Sequence, residues 1–234
     1  RVWERNAENR LRILKYFNAS EEDWNNWVWQ IKNRISDVNI LSQFLNLKTN
    51  EYEEIQMVSK KYRWAISPYY LSLIDFTRYR ESPIFKQAVP DNQEINDPHG
   101  KLDPMGELTT PGTGLVGNSP MGSRNIGEKD LHCDQKQLEN ALAYIRDNRE
   151  IRDVLITGGD ALMLSDKRLD WLLGELSQIK HVEIKRIGTR TPVTMPQRIT
   201  PQLCQILKKY PPIYLNTQFN HPLEVTEEAK KACD

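Results

Sequence analysis

The chain has 234 residues with 32 Lys and Arg against 32 Asp and Glu, so its formal net charge at pH 7 is zero. This length allows one large domain or two small ones with a sizeable core, and the balanced charge gives no electrostatic reason to expect a nucleic-acid partner. No apolar run approaches the roughly 20 residues of a membrane helix and no signal-peptide pattern opens the chain, so we expect a cytoplasmic protein without membrane contact.

Residues 1 to about 66 have helical patterns. Ser20-Glu-Glu-Asp23 resembles a capping box, and Asn50 with Glu53 repeats that signal before a helix that reaches about Trp64. Apolar residues after the first cap recur at intervals of three and four, which predicts a single core-facing stripe. The stripe comprises Trp24, Trp27, Val28, Ile31 and Ile35.

Residues 67–116 are rich in proline and glycine. Pro68 suits the first turn of a short helix, and beyond it we expect an extended segment, Lys86–Pro90 included, lying over another domain. We therefore predict an N-terminal helical region with an extended linker over residues 1–97 and a second domain over residues 98–234.

From Asp134 onward, helices and strands are predicted to alternate. After a helix from Gln135 to Arg146, the pattern gives strands at 154–157, 182–188 and 213–218, helices at 167–178 and 201–209, and another helix from 226. Short connections of this kind favour parallel strands with right-handed crossovers. The predicted fold class is α/β, with part of a parallel (βα) barrel after the helical region.

Each predicted strand ends in polar residues, which is where such folds carry their binding sites. Gly158, Gly159 and Asp160 follow the first strand, Arg190 the second, and Asn216, Gln218 and Asn220 alternate along the third. The two glycines allow close approach of a ligand, and Asp160 can accept hydrogen bonds from an ammonium group. Arg190 suits a carboxylate or a phosphate. The period-two spacing of the three amide side chains would place them on one face of the strand. Together, the polar ends of the three strands, the strand tips, favour a binding site.

Simpler interpretations remain open for each tip taken alone. The Gly-Gly-Asp sequence is often only a turn, Arg190 could form a surface ion pair, and His221 fits a structural role in a loop better than a role as ligand or base.

Cys133, Cys204 and Cys233 are few and far apart, which fits free thiols in a reducing compartment. None of them is predicted to bind a metal, and no catalytic residue is predicted.

Several strings resemble the lysine 2,3-aminomutase family of radical S-adenosylmethionine enzymes across nearly the whole chain. They are Trp27–Ile35, Ser67–Leu73, Lys86–Pro90, Ile151–Asp166, His181–Thr200 and Leu215–Pro222. Within the family, these segments are most similar in sequence to members that act on glutamate.

The resemblance implies a barrel enzyme that uses S-adenosylmethionine, a [4Fe-4S] cluster on a C-x-x-x-C-x-x-C loop, and pyridoxal phosphate to move an amino group from C2 to C3 of glutamate or lysine. It implies that Gly158, Gly159 and Asp160 hold the methionyl amine, with Arg190, Asn216 and Gln218 nearby. It further implies an amino-acid substrate, an electron donor and a homo-oligomer.

Two departures from the family pattern change what we expect of this chain. Between segments like Thr110–Val116 and Arg124–Glu128, family members have a strand, the cysteine loop and an arginine run, whereas this chain has only Gly117–Ser123. The later strands and the lysine that binds pyridoxal phosphate are also missing, so the chain reads as a fragment.

The three cysteines do not form the compact loop that a cluster needs. We therefore expect no cluster and no mutase activity, and we expect loss of the first strand to expose an edge and part of the core. The alternative is a non-catalytic remnant that binds a small ligand or a partner. A generic α/β hydrolase is poorly supported, because the chain has no G-x-S-x-G elbow and no pair of metal-binding histidines.

Overall fold

A computed structural model of the chain describes residues 2–93, 135–157 and 159–234. The expectations for Gly158, Cys133, the Gly117–Ser123 interval and the domain boundary at 97/98 lie outside these ranges. Within them, no helix has the length and apolar character required to traverse a bilayer.

The described part before residue 94 is helical, as predicted. Its helices are α1 (Val2–Phe17), α2 (Glu21–Asn25), α3 (Trp27–Lys32), α4 (Val38–Leu41), α5 (Thr49–Lys61), α6 (Pro68–Ser72) and α7 (Pro83–Ala88). Their apolar residues form one hydrophobic cluster, which includes Ile13, Trp24, Leu41, Tyr70 and Ile84.

The capping box at Ser20 is confirmed, but the single apolar stripe after it is wrong. Ser20 Oγ accepts a hydrogen bond from the Asp23 amide at 3.1 Å, and Asp23 accepts one from the Ser20 amide. The helix then ends because Asn26 is extended, and the Asn26 side chain caps α3 by accepting from the Val28 amide. This break rotates the helical register, so Val28 is exposed and Gln30 is buried.

The second predicted cap, at Asn50 and Glu53, is also wrong. Helix α5 begins at Thr49, and Glu51 accepts a hydrogen bond from the Lys48 amide at 2.7 Å. Glu51 also accepts from Tyr79 Oη at 2.7 Å and pairs with Arg80. The carboxylate therefore joins the start of α5 to a 3-10 turn at Tyr79–Glu81.

The extended segment expected beyond α6 contains helical pieces in its described part, a 3-10 turn at Tyr79–Glu81 and α7 at Pro83–Ala88. Ser82 accepts a weak hydrogen bond at 3.5 Å from the Phe85 amide, and Pro83 occupies the first turn of α7. Ser67 and Pro68 start α6 in the same way, as the sequence predicted for Pro68. Serine followed by proline is thus a start signal at both positions, and only the first was recognised.

The second part of the chain alternates helices and strands as expected. Its elements are α8 (Gln135–Asp147), β1 (Asp153–Ile156), α9 (Asp166–Ser177), β2 (Ile184–Gly188), α10 (Thr191–Thr194), α11 (Pro201–Lys208), β3 (Ile213–Asn216) and α12 (Glu227–Cys233). Thr200 caps α11 and Pro201 occupies its first turn, which confirms that start signal.

The three strands form a parallel sheet in the order β1-β2-β3, which confirms the prediction of parallel strands. Ile156 pairs with Ile187, and both are buried against leucines of α8, α9 and α11 in a second hydrophobic cluster. The opposite face carries the register partners Leu155, Arg186 and Tyr214. Leu155 and Tyr214 are 42% and 55% exposed, so helices of the described residues cover only one face of the sheet.

Acid should remove the contribution of Glu51 to stability. Burial alone would raise the pKa of Glu51, but the hydrogen bonds from Arg80, the Lys48 amide and Tyr79 outweigh it and lower the pKa to about 2. A carboxylate whose pKa falls on folding stabilises the protein above its unfolded pKa of about 4.5, and this contribution is lost as the pH falls toward 2.

The measurement compares the melting temperatures of wild type and Glu51→Gln. We expect the variant to melt lower at pH 7, and the difference to shrink between pH 4.5 and 2. Glu53→Gln, a charge removal on the same helix, serves as control. A difference independent of pH would contradict the assignment.

Candidate functional site

The tips of β1 and β2 meet at Asp160. Asp160 Oδ1 accepts hydrogen bonds from the Leu162 amide at 3.1 Å and from Thr189 Oγ1 at 2.6 Å, and Oδ2 accepts one from the Arg190 amide at 2.9 Å. An ionised carboxylate offers about four acceptor positions. The fold therefore uses three of them and leaves one, on Oδ2, for a further donor.

Glycine at position 188 allows this close approach of the two tips. A Cβ atom on Gly188 would lie 3.2 Å from Thr157 Oγ1, which is closer than nearly all ordinary contacts. The end of β2 thus packs against Thr157, which follows β1. Gly159 lies in a bend beside Asp160, and Gly158 is outside the described residues.

The guanidinium of Arg190 contacts the buried carboxylate of Glu224. Arg190 Nη2 donates to Glu224 Oε1 at 2.6 Å and lies 3.5 Å from Tyr70 Oη. The ion pair considered for Arg190 therefore exists, but its partner is fully buried and does not lie on the surface. Arg190 Nε is buried and has no hydrogen-bond partner among the described residues, so one donor remains unused.

Glu224 collects four donors from three parts of the chain. Its carboxylate accepts from Tyr70 Oη and the Asn220 amide at 2.5 Å each, from the His221 amide at 3.2 Å, and from Arg190. Sequence reasoning missed Glu224. The available signal was its place three residues after His221, the spacing of a capping box, which the structure contains.

Two further contacts hold α6 against the same region. Ser67 Oγ donates to the Thr194 carbonyl at 2.7 Å, and Tyr69 Oη and Thr226 Oγ1 share a hydrogen bond of 2.5 Å. Burial raises the pKa of Tyr69 and of Tyr70, and the hydrogen bond to Glu224 raises that of Tyr70 further. Tyr70 is therefore neutral at physiological pH and can donate its hydroxyl proton to Glu224.

The third tip departs from the prediction. Strand β3 ends at Asn216, so Gln218 and Asn220 do not continue its alternation, and the expectation that the three amides share one strand face is wrong. The Asn216 carbonyl accepts from the Thr189 amide at 3.0 Å, which places Asn216 beside the tip of β2. The exposed side chains of Asn216 and Gln218 form no hydrogen bond with described residues.

Asn220 and His221 have structural roles. Asn220 Nδ2 donates to Gln87 Oε1 at 2.7 Å, which ties the loop after β3 to α7. His221 Nδ1 accepts from the Leu223 amide at 3.1 Å and caps a 3-10 turn, which agrees with the structural role favoured for it.

The described residues contain no cluster of three or more histidine, cysteine or acidic side chains suited to a metal ion. Cys204 on α11 and Cys233 at the end of α12 are free thiols on separate helices. The strand tips offer one free acceptor on Asp160, a buried donor on Arg190 and the amides of Asn216 and Gln218. Together these groups suit a small ligand that has both an ammonium and a carboxylate group.

Removing one partner of the Glu224 network should destabilise the protein strongly. Glu224→Gln leaves the guanidinium of Arg190 without its counter-charge, at a cost of about 3 kcal/mol of the free energy of unfolding. Tyr70→Phe removes one donor from a buried carboxylate and should cost about 2 kcal/mol. Chemical denaturation measures both losses.

Tyr214→Phe is the matched control, because the Tyr214 side chain is largely exposed; we expect a change below about 0.5 kcal/mol. If Tyr70→Phe were as mild as this control, the buried hydrogen bond to Glu224 would not contribute as described.

Comparison with known proteins finds no matching family model. Individual proteins match well. The chain is 46% identical to glutamate 2,3-aminomutase of Clostridioides difficile, over 97% of this chain and 58% of that protein. It is 44% identical to L-lysine 2,3-aminomutase of Fusobacterium nucleatum and 42% identical to that of Clostridium subterminale, over 94% and 96% of this chain and 56% and 58% of those proteins.

The chain thus spans little more than half the length of these curated relatives. The match to the Clostridioides protein extends over 246 aligned positions, more than the 234 residues of this chain, so that protein has residues for which this chain has no counterpart within the match. Over nearly all of its residues the chain is thus similar, at 42–46% identity, to members of the lysine 2,3-aminomutase family.

Proposed function

We propose that the chain is part of an amino-acid 2,3-aminomutase, an isomerase that moves the amino group of an L-α-amino acid from C2 to C3. The observation that carries the proposal is the 46% identity to a glutamate 2,3-aminomutase over 97% of the chain. Glutamate is favoured over lysine as the substrate of the whole protein on this similarity alone. An electron donor and assembly as a homo-oligomer belong to the same proposal.

The three strands would be part of a parallel (βα) barrel whose first and later strands are not in this chain. Helices cover one face of the sheet, and the other face exposes Leu155 and Tyr214. In a barrel, such a face points inward and is filled by side chains from the remaining strands. The open face therefore supports the proposal of an incomplete barrel.

S-adenosylmethionine would bind at the strand tips through Gly158, Gly159, Asp160, Arg190, Asn216 and Gln218. The free acceptor position on Asp160 Oδ2 fits the ammonium group of the methionyl moiety, and the unused Nε of Arg190 fits an anionic group. When bound to an iron–sulfur cluster, this cofactor supplies radical chemistry by reductive cleavage. The residues of this chain would bind it and orient it.

The residues present do not fit a [4Fe-4S] cluster. Three thiolates from one compact loop are needed, whereas Cys204 and Cys233 lie on separate helices and Gly117–Ser123 contains no cysteine. We infer that the chain as written assembles no cluster and does not catalyse the isomerisation. No lysine of this chain corresponds to the family lysine that would bind pyridoxal phosphate.

The second candidate is a non-catalytic remnant that binds a small ligand at the same tips. The observation that favours it is that hydrogen bonds of Glu224 and Asp160 to other residues of the chain hold the tips of β1 and β2 in place.

Anaerobic reconstitution with iron and sulfide, followed by electron paramagnetic resonance, tests the inference about the cluster. We expect no [4Fe-4S] signal that responds to S-adenosylmethionine from this chain, and a clear signal from the glutamate 2,3-aminomutase of Clostridioides difficile treated in parallel. A responsive signal from this chain would overturn the inference.

Sequencing the coding DNA through codons 116–124 and past codon 234 tests the family-level function. A cysteine-rich segment and a downstream continuation would give a complete protein, whose isomerisation of L-glutamate can then be measured against L-lysine. An uninterrupted reading frame identical to this chain would favour the remnant.

A further inference from the structure

The N-terminal helices contain a pocket of about 370 Å³ that shares no residue with the strand tips. It opens between α1, the segment after α4 and the turn that precedes α7. Its lining residues are Arg12, Phe44, Asn46, Phe76, Thr77, Tyr79 and Arg80. The volume lies near the lower end of the range for small-molecule sites, which corresponds to a ligand with one or two rings.

Aromatic rings form the apolar part of the pocket. Phe44 and Phe76 have ring centroids 5.9 Å apart, and both side chains are almost entirely buried in the helical core. The Tyr79 hydroxyl donates to Glu51 at 2.7 Å and lies 3.1 Å from the Asn46 carbonyl oxygen, and these contacts hold the ring in place. Because these rings are fixed by packing, the small part of each that stays accessible forms a preformed apolar wall of the pocket.

Arg12 supplies a cation at the pocket without a protein counter-charge. Its guanidinium lies over the ring of Phe76, 5.2 Å from the centroid, and it forms no hydrogen bond or ion pair with the residues that the structure describes. A guanidinium offers five N–H donors in a planar fork that matches carboxylate and phosphate groups.

The other charges around the pocket neutralise each other. Arg80 pairs with Glu51 and lies over Tyr79, 4.6 Å from the ring centroid. Asp75, next to Phe76, pairs with Arg5 at 3.1 Å, and Arg78 lies 3.5 Å from Asp75 and 4.0 Å from Glu81, so these two arginines are balanced by two carboxylates. The charge that remains to be balanced at the pocket is therefore the positive charge of Arg12.

We propose that this pocket binds a small organic anion with an aromatic ring. Its carboxylate or phosphate group would accept hydrogen bonds from Arg12, and its ring would pack against Phe44 and Phe76. The exposed amide of Asn46, which forms no side-chain hydrogen bond with described residues, lies at the rim to contact a polar substituent. This site is separate from the proposed cofactor site and does not depend on aminomutase chemistry.

Calorimetric titration of the purified chain with benzoate, phenyl phosphate and the neutral analogue benzamide tests the proposal. We expect at least one of the two anions to bind in a saturable manner and benzamide to bind at least about tenfold more weakly. A charge-assisted hydrogen bond contributes about 1.5–3 kcal/mol, so Arg12→Gln should weaken anion binding by about tenfold or more. A preference for benzoate over phenyl phosphate, or the reverse, assigns the anionic group.

Lys15→Gln is the matched control, because Lys15 is an exposed cation on the same helix and does not line the pocket. It should leave the affinity within about twofold of wild type. Arg12 is also exposed, so circular dichroism of Arg12→Gln is expected to match wild type. Absence of saturable binding by both anions, equal binding of benzamide, or equal losses in the two variants would each overturn the proposal.

Discussion

The buried carboxylate of Glu224 is the interaction on which the arrangement of the strand tips depends. A buried charge is tolerated only when counter-charges and hydrogen bonds replace the water that it loses. Glu224 meets this requirement with donors from α6, from the end of β2 and from its own loop. Because all of these donors are needed at once, the three segments are fixed relative to each other.

This network gives the N-terminal helices a part in the site. Tyr70 on α6 reaches Glu224, Glu224 holds the guanidinium of Arg190, and the Arg190 amide binds Asp160. The helical region therefore takes part in the site, because the buried Tyr70 hydroxyl is one of the donors to Glu224, which in turn holds Arg190. Ser67 and Tyr69 reinforce the same contact through Thr194 and Thr226.

The tips of β1 and β2 are held in place by hydrogen bonds among the chain's own residues. The open face of the sheet and the unmatched positions in the comparison with the Clostridioides protein are the two observations behind the proposal of an incomplete barrel. The pocket at Arg12 lies within a separate hydrophobic cluster, so its structure does not depend on a closed barrel.

The sequence by itself determined what depends on local interactions. Alternating helices and strands, the caps at Ser20 and Thr200 and the positions of the polar tips follow from periodicity and capping chemistry. The domain boundary and the roles of the six tip residues stay predictions. The break at Asn26, which exposes Val28, is also local, because the Asn26 side chain caps a new helix, but an argument from apolar periodicity alone does not detect it. Tertiary structure decided which segments meet at the strand tips. It also decided the role of Glu224, because its donors come from distant segments that only the folded chain brings together.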